Sequence, residues 1–304
     1  MIKSVTVINH LNEKLKLELK RPEKSGFAVT SIEGLGPVKA DIHTVEVSTR
    51  DGSSYNSART SQRNIVLYLK FLFRNSIEDI RQESYRYFPV KKPITLIIET
   101  DNRTLGIDGY VEQNEPEIFS NSEGTQISII CPDPYFYSLG KNGSNVVTFY
   151  GVEPLFDFPF PNESVSDSTF EFSAIQTQTY KNVPYAGDID TGVTITMRAV
   201  GDVENVTIYN TGTRESMKID TDKLKNITGS KIVAGDEITI CTLKGFKSAT
   251  LLRDGVYVNI INCLSKGANW FQLSKGDNTF AYVADSGAAN LQFKIAYNVL
   301  YDGV

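Results

Sequence analysis

Alternation of apolar and polar side chains at every second residue governs most of this chain. "KLKLELK" sets Leu15, Leu17 and Leu19 on one face with charges on the other, and "HTVEVST" does the same with Val45 and Val47. Successive side chains of an extended strand point to opposite faces, so this period predicts half-buried strands. "NIVLYLKFLF", Asn64 to Phe73, is apolar on both faces. It predicts a strand covered on both sides, or one whose second face meets a partner. "ITLIIE", "TLGIDGYVE" and "TQISIIC" read as further strands. One segment departs from the pattern. "NSIEDIRQESYRYFP" has Ser76 as N-cap, Asp79 three residues on as its capping-box partner, and Pro89 as a stop. Ile77, Ile80, Tyr85 and Phe88 are expected to share its inner face, so one helix near 76–88 is predicted. The second half reads as strand and turn throughout, from "NVVTFYG" to "LQFKIAYNVLY". Many short strands bounded by Gly, Asn, Asp or Ser imply a β-sandwich or jelly roll.

At 304 residues with 40% apolar content and a net charge of -5, the chain suits two medium domains or one large one. No basic block marks a nucleic-acid footprint, so specific nucleic-acid recognition is not expected. The N-terminus lacks the apolar core of a signal peptide, and no window approaches the ~18 apolar residues of a membrane span. Three cysteines, Cys131, Cys241 and Cys263, read as buried reduced thiols.

The stretch "SIICPDPYFYS", residues 128–138, ends a strand with two prolines around Asp133. Proline donates nothing to a sheet ladder and pushes its predecessor out of helical geometry, so the strand's exit is stiffened. Asp133 can accept from nearby backbone amides, while Tyr135, Phe136 and Tyr137 need cover from water. The unit is expected to be a rigid corner between two domains. The loop-like "SLGKNGSNV" after it sets a boundary near 140, giving domains 1–140 and 141–304. "FDFPFPNES" repeats the aromatic and proline pattern and suits an edge strand or a pinned loop.

Catalytic chemistry finds little support. The two histidines, His10 and His43, sit in no nucleophile context. The cysteines are too far apart in sequence for a zinc site. Asp190-Thr191-Gly192 spells an aspartic-protease triplet once, but that chemistry needs two facing carboxylates, so the triplet reads as a turn before "VTITM". Asp188 and Asp190 have a calcium-loop spacing without the closing glutamate. No catalytic, cofactor-binding or metal-binding residue is assigned. Trp270, in "GANWFQL", is the one candidate ligand-binding residue, as a stacking platform for a sugar ring. Its neighbour Phe271 would point to the opposite face of the same strand, so at least one of the two is expected in the core.

"GYVEQNEPEIFSNSEGTQISIICPDPYFYS", residues 109–138, resembles the distal tail protein family of long-tailed, non-contractile phages of Gram-positive hosts. Gly109, Tyr110, Val111, Cys131, Pro132, Asp133, Pro134 and Tyr135 carry the likeness. "FDFPFPNES", "AGDIDTGVTITMRAVGDVENVTIYN", "GDEITICTLKGFKSATL", "WFQLSKGDNTFAYVA" and the closing "LYDGV" extend it along the chain. The resemblance implies a mainly β protein, with a β-sandwich-like ring-forming N-terminal domain carrying one helix. A galectin-like or carbohydrate-binding-module-like β-sandwich follows. It also implies a non-enzymatic virion component without cofactors, assembled in the host cytoplasm. That component is a homo-oligomeric ring, a hexamer, at the end of the tail tube. Its implied partners are the tail tube protein, a tail tip or tail-associated lysin protein, and receptor-binding or baseplate proteins. The alternative is a carbohydrate-binding module that contributes to adsorption on the host surface.

Overall fold

The computed structural model describes residues 1–46, 48–49, 51–72, 76–119, 123–139, 144–154 and 173–304. "FDFPFPNES", Val47 and Phe73 lie outside the described residues. The chain divides into two compact units, Met1–Gly143 with Leu300–Val304, and Ser144–Val299.

The first unit contains β1 (Ile2–Ile8), β2 (Lys14–Glu18), β3 (Phe27–Glu33), β4 (Ala40–Glu46), β5 (Ser53–Thr60) and β6 (Arg63–Phe71). Helix α1 (Ile77–Tyr87) follows, then β7 (Pro93–Thr100), β8 (Thr104–Pro116), β9 (Gly124–Cys131) and β10 (Phe136–Leu139). A nine-stranded sheet runs β2-β1-β7-β8-β9-β6-β3, with β10 joined to β8 and to a closing strand formed by Leu300–Tyr301. Alternate residues of these strands, among them Val5, Val7, Ile65, Leu67, Leu96, Ile107, Ile127 and Ile129, fill one apolar cluster. β6 proves one-sided at its centre. Ile65, Leu67, Leu69 and Phe71 are buried, while Val66 and Tyr68 are only half-buried and Asn64 and Lys70 are exposed. Ser128, beside that outer face, donates to Asn64 Oδ1 at 3.0 Å and to Glu112 Oε2 at 2.8 Å, so polar groups lie alongside its apolar residues.

Ser76 caps α1 as expected, its hydroxyl accepting from the Glu78 amide at 3.2 Å. The inner face differs from the expectation at one residue. Ile80, Ser84 and Phe88 are buried, at the four-residue steps of a helix stripe. Tyr85 lies off that stripe and is exposed. The Asn114 side chain donates to the Ser84 carbonyl at 3.3 Å and to the Phe88 carbonyl at 3.5 Å, satisfying the helix end from β8.

The second unit contains β11 (Ser144–Thr148), β12 (Tyr150–Pro154), β13 (Ser173–Thr177), β14 (Tyr180–Tyr185), β15 (Thr191–Gly192), β16 (Thr194–Ala199), β17 (Thr207–Asn210) and β18 (Glu215–Lys218). Helix α2 (Thr221–Thr228) precedes β19 (Glu237–Cys241), β20 (Ser248–Arg253), β21 (Val256–Asn259), β22 (Gln272–Leu273), β23 (Gly276–Val283) and β24 (Leu291–Asn298). A six-stranded sheet, β11-β24-β16-β19-β20-β21, faces a four-stranded one, β14-β23-β17-β18. Tyr282 of the smaller sheet stacks on Phe293 of the larger, with centroids 4.9 Å apart and planes 18° apart. Phe149 meets Phe293 edge-on at 4.8 Å. Inward aromatics from both sheets thus make the β-sandwich that the alternation predicts.

Two differences from the sequence reading stand out. The second half is not strand and turn throughout, because α2 occupies residues 221–228. Its signals are local. Asp220 accepts from the amides of Asp222 and Lys223, Leu224 is buried, and Gly229 closes the helix at φ 83°. A helix this short shows too few periodic positions to stand out beside a strand pattern. The closing residues Leu300–Val304, which the sequence reading placed in the second domain, lie in the first unit. There β25 (Leu300–Tyr301) pairs Tyr301 with Phe136 and Leu300 with Tyr137. Asp220→Ala is expected to cost about 1 kcal/mol. The backbone amide of Lys223 chiefly holds the Asp220 carboxyl below its ordinary range, so that stabilisation is present at neutral pH and fades as pH falls through the depressed value. Urea melts of both proteins at pH 7 and near pH 3 should show the gap narrow at the lower pH.

Candidate functional site: a clamped hairpin arm

β4 and β5 form a two-stranded antiparallel sheet of their own, inserted between β3 and β6. Most of its side chains are exposed. In its register Ile42 lies opposite Ala58 and Thr44 opposite Tyr55, which puts Ile42, Ala58 and Tyr55 on one face. Ile42 and Tyr55 are 63% and 69% exposed. A lone two-stranded hairpin is marginal in water, so its root must be held.

Arg63 holds it. The side chain opens β6 directly after the arm and is 1% exposed. Its Nη1 donates to the Gly34 and Gly36 carbonyls, both at 2.5 Å, in the segment that leads into the arm. Nε donates to the Pro134 carbonyl at 2.6 Å, and Nη2 to the Asp302 carbonyl at 2.6 Å. The guanidinium carbon sits 4.6 Å from the centroid of the buried Phe136 ring. A planar fork with five donors suits four converging carbonyls, where an ammonium would not. Burial pulls the Arg63 pKa down, opposed by the Asp302 carboxylate, whose Oδ1 is 3.9 Å from Nη2. An arginine keeps its charge even so.

The "CPDPYFYS" stretch supplies the clamp's floor. Asp133 Oδ1 accepts from the Tyr135 amide at 3.2 Å, as the turn reading expects. Phe136 is fully buried in the first unit's apolar cluster, and the Tyr137 hydroxyl donates to Asp108 Oδ1 at 3.2 Å. Gly109 of "GYV" explains its pairing with this stretch. A Cβ there would lie 2.9 Å from Cys131 Sγ and 2.8 Å from Ile129 Cγ2, so only glycine lets the strands close. Gly34 adopts φ +81°, and a Cβ would collide with the Asn64 carbonyl oxygen.

The residues considered for chemistry are scattered. His10 and His43 are exposed. Asp190 is exposed, Asp188 pairs with Lys275 at 2.8 Å, and Thr191–Gly192 form a short strand against Gln272–Leu273. Burial pushes the Cys131 thiol up to about 12, and raises Cys263 as well. Among the described residues no group of three or more His, Cys, Asp or Glu is placed to hold a metal, and no helix is long and apolar enough to cross a membrane. Trp270 is half-buried, with the Lys247 ammonium 5.3 Å from its ring centroid. Phe271 is fully buried and packs edge-on against Phe280 at 5.4 Å, so it is the core member of the pair. Arg63 escaped the sequence reading because its acceptors lie 29, 27, 71 and 239 residues away along the chain.

These features define a β-structured protein whose distinctive parts are a braced arm and a sandwich. Residues 186–301 match the family described as siphovirus-type tail component, C-terminal domain. The crystal structure of the SPP1 Dit (gp 19.1) protein is described as a paradigm of hub adsorption apparatus in Gram-positive infecting phages. It shares this fold with a TM-score of 0.63 at 11% identity, over 97% of this chain and 98% of that one. Two structures of the phage p2 baseplate in its activated conformation, with Ca and with Sr, align at TM-scores of 0.45 and 0.42 and 8% and 7% identity. They cover 97% of this chain in each case, and 98% and 97% of theirs, and at those scores carry no weight. No curated protein matches the chain in sequence. The second unit thus carries a siphovirus-type tail component domain, and the resemblance to the distal tail protein family is borne out.

Arg63→Met should cost roughly 3–5 kcal/mol, because it strands buried carbonyls without donors. Arg63→Lys should recover little of that, and urea denaturation of the three proteins measures both effects. Cys131, buried and protonated, should resist iodoacetamide at pH 8 in the folded protein and react once urea unfolds it. Peptide mass spectrometry reads the difference.

Proposed function

We propose that this chain is the distal tail, or hub, protein of a siphophage. In this reading its copies close a ring, a hexamer, that joins the tail tube to the baseplate or tail tip and anchors receptor-binding proteins. The tail component domain over residues 186–301 carries the reading. The arm supports the ring. A closed ring needs heterologous contacts, in which one surface of each copy meets a different surface of the next. Ile42, Ala58 and Tyr55 offer such a surface on an element that buries little within its own chain. The first unit is the ring former, and the β-sandwich, read as galectin-like, is the docking platform. No reaction is assigned to the chain, and its work is mechanical: rigid attachment around a channel that lets DNA pass. Assembly in the host cytoplasm and residence in the virion tail follow from that role.

Light scattering on the purified chain, alone and mixed with its tail tube and tail tip partners, tests the ring. Ring-sized particles are expected, and Ile42→Ser with Tyr55→Ser should shift them to monomers while leaving the thermal midpoint within a few degrees. Monomers in every mixture would contradict the reading.

A further inference from the structure

The clamp at Arg63 is closed by a segment that follows the second unit in the chain. β25 adds to the edge of β10 that β8 leaves open, through two residue pairs, Phe136 with Tyr301 and Tyr137 with Leu300. The Asp302 carbonyl then becomes the fourth acceptor on the guanidinium, at 2.6 Å, and the Asp302 carboxylate lies 3.9 Å from Nη2. Gly303 passes against the arm's entry, where a Cβ would lie 3.2 Å from the Leu35 carbonyl oxygen. The Val304 amide donates to that same oxygen at 3.1 Å. The Arg103 guanidinium covers the Tyr301 ring at 4.6 Å. None of residues 300–304 is buried, whereas Arg63 is 1% exposed. A shallow, lightly held segment thus completes a deep site.

We propose that residues 300–304 are a latch through which folding of the second unit sets the arm, so that a copy is ready for the ring only once its β-sandwich has formed. The assembly half of this rests on the arm being a ring contact; the latch does not. Chain connectivity supplies the coupling. The whole second unit, Ser144–Val299, lies between β10 and β25. While that unit is unfolded, seating the latch means closing a very long loop, and the entropy cost of closure rises with loop length. In the folded unit β11 pairs with β24, and Ser144 lies opposite Asn298. The two ends of the unit therefore emerge about 5 Å apart, one strand spacing, and Leu300 follows directly. Folding the sandwich thus raises the local concentration of the latch at its slot, as a short tether does. Few contacts hold the latch, so its occupancy responds to that change. With the slot empty, Arg63 loses one carbonyl and the neighbouring carboxylate. Water then reaches the guanidinium and competes with the Gly34 and Gly36 carbonyls for it. The arm is two strands with little packing of their own, so it slackens when its root does.

Hydrogen exchange read by mass spectrometry compares the full chain with two variants. In a chain ending at Val299, amides of the arm, residues 40–46 and 53–60, should exchange roughly tenfold faster or more, while those of β7 and β8 keep their protection. A synthetic peptide Leu-Tyr-Asp-Gly-Val at millimolar concentration should restore the arm, and the same residues in reversed order should not. The second variant, Phe293→Ala, removes a ring that packs on Tyr282 and Phe149 in the sandwich. In urea that unfolds its β16 and β24, the arm should loosen although the substitution lies in the other unit, and the peptide should tighten the arm without refolding the sandwich. Unchanged arm protection in the shortened chain would overturn the latch. So would loss of β7 and β8 protection along with the arm, since the segment would then hold the whole first unit. An arm that stays protected while the sandwich unfolds would overturn the coupling. Light scattering decides the assembly half. Rings from the full chain, monomers from the shortened one and rings again with peptide are expected, and rings from the shortened chain would contradict it. A full chain that stays monomeric with its tail partners fails as a hub, and the exchange data still decide the latch.

Discussion

A single buried guanidinium braces the part of this protein that reaches outward. Arg63 joins the segment entering the β4–β5 arm, the proline corner and the end of the chain, through four carbonyls and one aromatic face. Placing a charge where water cannot reach it is costly. The cost is offset here because nearly every donor has a partner and the plane of the fork rests on Phe136. The arm emerges between β3 and β6, and Arg63 at the start of β6 ties the strand leaving it to the Gly34 and Gly36 carbonyls of the segment entering it.

Much of this was legible in the sequence. Period-two alternation located most strands of both units, and Ser76 with Pro89 bracketed α1. Strand alternation puts at least one of Trp270 and Phe271 in the core without saying which. Local signals carried those readings. What escaped depends on partners distant in sequence or on elements too short to show a period. Arg63 looks like an ordinary polar residue at the start of an apolar run, and its role appears only when Gly34, Pro134 and Asp302 are folded around it. The last five residues look like the tail of the second domain until Tyr301 is seen paired with Phe136. α2 is capped at both ends, yet buries little beyond Thr221 and Leu224. Tyr180 and Tyr209, far apart in sequence, come to flank Ala281 only through strand register.

The two units use the same alternation to different ends. In the first, a nine-stranded sheet gathers its inward residues round one apolar cluster and carries an arm. In the second, two sheets press their inward aromatics together, and each outer face keeps its own character. The six-stranded sheet turns a row of threonines outward beside Tyr257, while the four-stranded sheet turns out Tyr180 and Tyr209. Among the described residues no group of three or more His, Cys, Asp or Glu is placed to hold a metal, and burial keeps Cys131 protonated.

Hydrogen exchange of Arg63→Met against the wild type tests the brace most directly. The amide of Val304 donates to the Leu35 carbonyl at 3.1 Å, so the end of the chain and the arm's root should exchange slowly and together in the wild type. The substitution should release residues 34–36 and 300–304 by at least tenfold while amides of β7 and β8 keep most of their protection. Unchanged protection at both segments would show that the arm is held by something other than Arg63.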